Sequence, residues 1–167
     1  SEGECSGYDN RYIPQNEFAE YYEQIKNTCD GVWAGIYKKE FIDKFHIRFD
    51  EEMRYGYEDL DFLLKIYRCH PSIVLNKRVY YHWIVRSNHS TSAKMDINNI
   101  ISLKKCLVQK KKLYEENHME KRYQYLWLAE LADRICRTFT YVSPKKGKST
   151  WKKRKEIIQC FANCEVF

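Results

Sequence analysis

No stretch of this 167-residue chain approaches about 18 uncharged apolar residues, so no segment reads as a transmembrane helix. The N-terminal residues have no basic segment followed by an apolar run, the pattern a secretory signal carries. No G-x-x-x-x-G-K or G-x-G-x-x-G loop occurs, which removes the usual glycine-rich cradles for a phosphate. Paired C-x-x-C motifs are also missing; Cys69-His70 and Cys160-x-x-x-Cys164 come nearest, and they fall short of a zinc site. There is no internal repeat and no low-complexity segment. What these absences leave is one chain with a contiguous spread of apolar residues, large enough to bury a core.

Seven cysteines, an odd number at irregular spacing in a chain that does not need staples, read as reduced thiols. The expectation is a soluble, cytoplasmic chain, with peripheral contact to the inner face of the membrane as an open alternative. The formal net charge of +6 is unevenly spread: residues 1–30 carry seven acids against two bases, whereas residues 145–155 carry seven bases and no acid. Such asymmetry suggests a charged partner for one end without naming it.

The pattern along the chain divides it into an entry segment and helix (1–30), a mixed region (31–93) and a helical C-terminal region (94–167). Residues 1–14, with two glycines and Pro14, read as a tail or entry loop. Phe18, Tyr21, Tyr22 and Ile25 recur at helical spacing and predict a helix over 15–27. Val32–Tyr37 is short, apolar and aromatic, and Phe41, Ile42 and Phe45 make a helical stripe within 38–45. Alternation of Ile47 and Phe49 predicts a brief strand over 46–50, followed by a loop over 51–56. A helix over 57–69 carries Leu60, Leu63, Leu64 and Tyr67 on one side and is stopped by Pro71. Residues 72–75 and 78–83 read as short strands, joined as a hairpin by Asn76-Lys77, with a polar loop over 85–93. Ile97 to Leu113 and Tyr123 to Phe139 then predict two long amphipathic helices, followed by a basic linker over 143–149 and a shorter helix over 151–161. The fold class expected is α+β and predominantly helical, with short strands in the N-terminal half and long antiparallel helices in the C-terminal half.

Three carboxylates fall within four residues at Glu58-Asp59-Leu60-Asp61, where a loop meets a helix. Acids in a first helical turn are favoured by the macrodipole, which accounts for them without any catalytic role. The alternative is a carboxylate held at the rim of a cleft as a base, since a group with a pKa near 4 is already ionised at neutral pH. Asp59-Leu60-Asp61 matches Asp-x-Asp, but residues two apart on a helix point to different faces and cannot easily share a metal.

The order of motifs favours the second alternative. Trp33 with Ile36-Tyr37-Lys38-Lys39 and Phe41-Ile42, then Ile47, Phe49 and Glu51, then Tyr57-Glu58-Asp59 and Phe62, then Tyr80-Tyr81, and finally Arg86, Asn88 and Ser90 resembles the C-terminal half of family 2 glycosyltransferases. These are inverting enzymes of the GT-A fold that use nucleotide sugars to build bacterial polysaccharides. The resemblance covers roughly residues 31 to 92, and the order is more specific than any one motif. It implies that Asp59 is the base for an acceptor hydroxyl, with Glu58 beside it turned to the backbone or to an arginine such as Arg54 or Arg86. It implies that Arg86 holds a departing diphosphate through paired charge-assisted hydrogen bonds, near Ser90. An exposed loop arginine explains the same residue equally well. Trp33 and Tyr57 are candidates to stack on sugar at the acceptor side, as are Tyr37, Tyr81 and Trp83, although aromatics at this density also suit a core. The family's metal motif, which holds Mg or Mn against the diphosphate, belongs to an N-terminal half without a counterpart here, so metal ligands are not expected in this chain. Where many members have Asn-Lys after the tryptophan, this chain has Ala34-Gly35, and a polar contact is lost.

The sequence also begins with Ser1 and enters the resemblance only after some thirty residues, so a processed or excised piece of an enzyme, inactive alone, is expected. Its partners would then be a nucleotide sugar and a glycan or lipid-linked acceptor. The face around Val32–Tyr37 would be left apolar and exposed, favouring self-association. The basic run 145–155, with Trp151, Ile157, Ile158 and Phe161 at helical spacing, would suit anionic lipid headgroups. From this comes the alternative reading, a non-catalytic helical interaction module that docks on an anionic membrane or acidic partner. No aromatic-interleaved RNA motif or helix-turn-helix pattern supports nucleic acid as the partner.

Overall fold

The computed structural model describes residues 10–28, 31–53, 56–76, 97–141 and 151–163. The chain forms two compact units, one made of residues 1–50 and 59–87, the other of 51–58 and 88–167.

In the first unit, strand β1 (Arg11–Ile13) leads through a 3-10 turn (Gln15–Glu17) into helix α1 (Phe18–Thr28). Phe18, Tyr22 and Ile25 are buried, as the helical spacing predicts, and Tyr21 lies under the Arg11 guanidinium at 4.5 Å. A second 3-10 turn (Val32–Ala34) precedes helix α2 (Lys39–Lys44). Helix α3 (Glu58–Arg68) follows, with basic residues in its last turn where the macrodipole favours them, and strand β2 (Ile73–Leu75) comes after Pro71.

β1 and β2 pair antiparallel in the register Arg11↔Leu75, Tyr12↔Val74 and Ile13↔Ile73. Ile13 and Leu75 turn inward and are buried, while Tyr12 and Val74 face out. This corrects one expectation: residues 11–13 are a strand rather than part of a tail, and they pair with β2. The second strand of the expected hairpin, 78–83, lies outside the described residues. Residues 46–50 form no strand. Ile47 is buried as the alternation predicts, but Phe49 is half exposed and stacks on Phe62 at 4.3 Å. A ring contact, not a backbone ladder, satisfies this segment's apolar pattern.

An aromatic cluster joins α1 to α3. Phe18 lies 5.8 Å from both Tyr22 and Tyr67 and 5.9 Å from His70, and Tyr22 meets Tyr67 edge-on at 5.8 Å. Edge and tilted geometries of this kind add to what burial alone contributes. From Asp61 to Tyr67 every residue of α3 except Lys65 is buried, so the helix is buried more fully than its one-sided apolar stripe suggests.

The second unit is helical, built from α4 (Ile97–Glu116), α5 (Glu120–Tyr141) and α6 (Trp151–Ala162). A turn at Asn117–Met119 reverses the chain: His118 takes a left-handed φ of 53°, and Met119 N–H donates to the Tyr114 carbonyl at 2.9 Å. Lys110 then reaches Glu130 while Tyr114 reaches Tyr123 and Trp127, so α4 and α5 run antiparallel. Ile100, Leu103 and Leu107 of α4, Leu131 of α5, and Ile157 and Phe161 of α6 make one buried cluster. The fold is mostly helical with a small two-stranded sheet in the N-terminal half and long helices in the C-terminal half, as the periodicities predict. Among the described residues, no helix is long and apolar enough to cross a membrane.

Candidate functional site

The three carboxylates open α3, and the backbone immediately before them is strained. Gly56 has φ 117° and Tyr57 has φ 72°. A left-handed tyrosine crowds its own Cβ against the carbonyl, at a cost of roughly 1–2 kcal/mol, and such a residue persists only where its surroundings hold it. Those surroundings are visible in the helical unit. The Tyr57 ring packs against the cluster of Ile100, Leu103 and Leu107, and its carbonyl accepts from the Cys106 thiol at 3.5 Å. The Arg134 guanidinium stands 5.9 Å from its ring. Gly56 is favoured by its φ of 117° rather than by crowding, since a Cβ there would meet the Asn99 amide only at an ordinary contact distance of 3.4 Å.

Burial pushes the Tyr57 hydroxyl above the ordinary phenol range, and the positive charge of Arg134 opposes that shift in part. Among the candidates for sugar stacking, Tyr57 therefore has its ring engaged with the helices. Trp33 sits in the 3-10 turn, 46% exposed. Its ring covers Gly31, where a Cβ would lie 2.3 Å from the indole, so any larger residue there would have to displace the ring. Tyr37 does the same over Gly35, donates its hydroxyl proton to the Val32 carbonyl at 3.2 Å and meets Phe62 edge-on at 5.8 Å.

Glu58 and Asp59 are both half-buried in the first turn of α3. The Glu58 Oε2 atom is enclosed and has no hydrogen-bond partner among the described residues. Asp61 is different. It is 4% exposed, and the Lys65 ammonium one turn on lies 2.6 Å from its Oδ2. Lys65 also donates to the Arg48 carbonyl at 2.9 Å, which fastens this ion pair to the segment after α2. Asp61 is thus a buried structural charge, compensated as such a group must be. Among the described residues, no three His, Cys, Asp or Glu side chains converge as a metal site. Arg86 and Ser90 lie outside the described residues, as does Arg54, so their relation to Asp59 is not part of this geometry.

Sequence reasoning overlooked Lys110. It is 2% exposed, ion-paired with Glu130 and 5.9 Å from the Tyr114 ring. The signal was present, because Leu103, Leu107, Lys110 and Tyr114 form one stripe of α4 and a lysine in an apolar stripe requires a partner. Within the same hairpin, Tyr114 and Trp127 wall an open cleft of about 300 Å³ rimmed by Lys111, Glu115, Lys121 and Gln124.

No protein-family model, curated protein or solved structure matches the chain.

Proposed function

We propose that this chain is the acceptor-side portion of an inverting glycosyltransferase, with Asp59 as the base that takes the proton from an acceptor hydroxyl. That oxygen attacks the anomeric carbon of a nucleotide sugar, and the nucleotide diphosphate leaves from the opposite face. What carries the reading is the first turn of α3: Asp59 follows two left-handed residues, Gly56 and Tyr57, in a backbone held by the packing of Tyr57. Strain stored beside a half-buried carboxylate is a common mark of a site whose geometry matters more than its local stability. The ordered motifs from Trp33 to Ser90 supply the reaction class, and no comparison with known proteins adds to them.

In this proposal Glu58 neighbours the base, and Arg86 with Ser90 faces the departing diphosphate. Trp33 borders the acceptor with its exposed edge. The parent enzyme's Mg or Mn would be held by residues other than these, because Asp61 is already paired with Lys65 and cannot join Asp59 around an ion. The same proposal places the enzyme in the cytoplasm; among the described residues Cys69, Cys106, Cys136 and Cys160 form no disulfide.

Two measurements test this. Calorimetric titration of the folded chain with UDP- and GDP-sugars in the presence of Mn or Mg should give no heat of binding; metal-dependent binding would show a donor site here and overturn the acceptor-side assignment. In the active parent protein, Asp59→Asn should lower transfer by about 10²–10⁴-fold while nucleotide affinity stays nearly constant. Turnover that survives the substitution removes Asp59 from the role of base.

A further inference from the structure

We propose that the outer stripe of α6 is a docking surface for an anionic lipid bilayer. Of the apolar residues on this helix, Ile157 and Phe161 are buried in the cluster with α4, whereas Trp151 is 74% exposed and Ile158 is 45% exposed. Trp151, Lys155, Ile158 and Ala162 are spaced by four, three and four residues, which places them on one stripe along the helix, and all four are exposed. Lys152 is exposed beside them. The helix carries four consecutive bases, Lys152–Lys155, against a single acid, Glu156.

The helix is also held in place. Ile157 and Phe161 seat it on α4, and the Lys104 ammonium donates to the Asn163 carbonyl at 2.9 Å just beyond its end. The stripe is therefore presented by a docked helix, with its inner face already committed.

The chemistry of the stripe selects the partner. An indole left in water forgoes the burial of a ring that would cover about 150–250 Å², and its amphipathic edge suits the level of lipid headgroups. Lysines beside it meet headgroup phosphates, and Ile158 and Ala162 reach the acyl boundary. A helix of twelve residues is about 18 Å long, too short to span a bilayer and well suited to lie flat on one. A nucleic-acid backbone would satisfy the lysines and could stack on the indole, but it offers Ile158 and Ala162 nothing. The alternation of cation and apolar side chain favours the bilayer.

This inference stands apart from the assignment of Asp59, and it is tested on the same chain without any sugar. Sedimentation with vesicles of phosphatidylcholine alone should leave the protein in solution, whereas vesicles that also contain phosphatidylglycerol should carry it down, less so as salt rises. Trp151→Ala should weaken that binding roughly tenfold or more through lost apolar contact. Lys152→Ala and Lys155→Ala should each weaken it about fivefold. All three side chains are exposed, so circular dichroism should show unchanged helix content. Failure to bind phosphatidylglycerol vesicles overturns the proposal, and so does binding indifferent to Trp151→Ala. Displacement from the vesicles by a single-stranded oligonucleotide whose own binding depends on Trp151 would transfer the surface to nucleic acid and overturn it as well.

Discussion

Tyr57 joins three facts that are separate in most residues: a left-handed backbone, a ring packed on helices and a hydroxyl whose ionisation is suppressed by burial. Because its folded pKa is raised, the folded chain holds this proton more tightly than the unfolded chain. The resulting stability is fully present below the ordinary phenol value of about 10 and is lost as pH rises through the folded value. Cys69 acts in the same direction, its thiol pushed up by burial against a smaller opposing effect of Arg68. Asp43 has the opposite sign: the Lys39 ammonium at 2.6 Å and the Arg48 guanidinium at 3.0 Å hold its carboxyl below the ordinary range, so its contribution is lost as pH falls. Urea unfolding at a series of alkaline pH values should therefore show stability declining above about pH 9, where the unfolded chain first releases the Cys69 proton, and Tyr57→Phe should make the decline above about pH 10 shallower. An unchanged slope in the variant would mean that burial of this hydroxyl has no thermodynamic consequence.

At the scale of elements, the helical hairpin contains a buried charge at its centre. Lys110 and Glu130 fasten α4 to α5 between the apolar cluster on one side and the aromatic group of Tyr114, Tyr123 and Trp127 on the other. A buried pair is worth less than its close contact suggests, because desolvation opposes the attraction; removing one partner leaves the other charge stranded. Lys110→Met alone should destabilise the helices by about 3–5 kcal/mol, and Lys110→Met with Glu130→Leu should recover most of that loss. Chemical denaturation followed by helical circular dichroism would decide it, since equal losses in single and double variants would place the cost in side-chain volume rather than charge.

For the whole molecule, the two units interleave in sequence: residues 51–58 belong with the C-terminal helices, while the chain on either side of them belongs to the first unit. Met53, which is fully buried, and Tyr57 are thus parts of the helical unit although they precede α3. In the first unit, the segment after α1 presents Trp33 and a fully exposed Ile36, the apolar surface expected around Val32–Tyr37. Exposed apolar residues this close together favour self-association. Light scattering should show the mean mass rising with concentration, and Ile36→Lys should hold the chain as a monomer; a monomer at every concentration without the substitution would remove this expectation.

Local periodicity determined the helices. Phe18, Tyr22 and Ile25 mark α1, Ile100, Leu103 and Leu107 mark α4, and Pro71 marks the stop after α3, because each signal acts between residues a few positions apart. The acids at the head of α3 were legible for the same reason. Tertiary structure decided what depends on distant partners. It paired β1 with β2 across sixty residues of chain, kept 46–50 out of the sheet with Phe49 stacked on Phe62, and buried Lys110 against Glu130. It also divided the apolar residues of α6, taking Ile157 and Phe161 into the core and leaving Trp151 and Ile158 outside. A helix states its own amphipathic period, but which side meets a neighbour is settled only when that neighbour arrives.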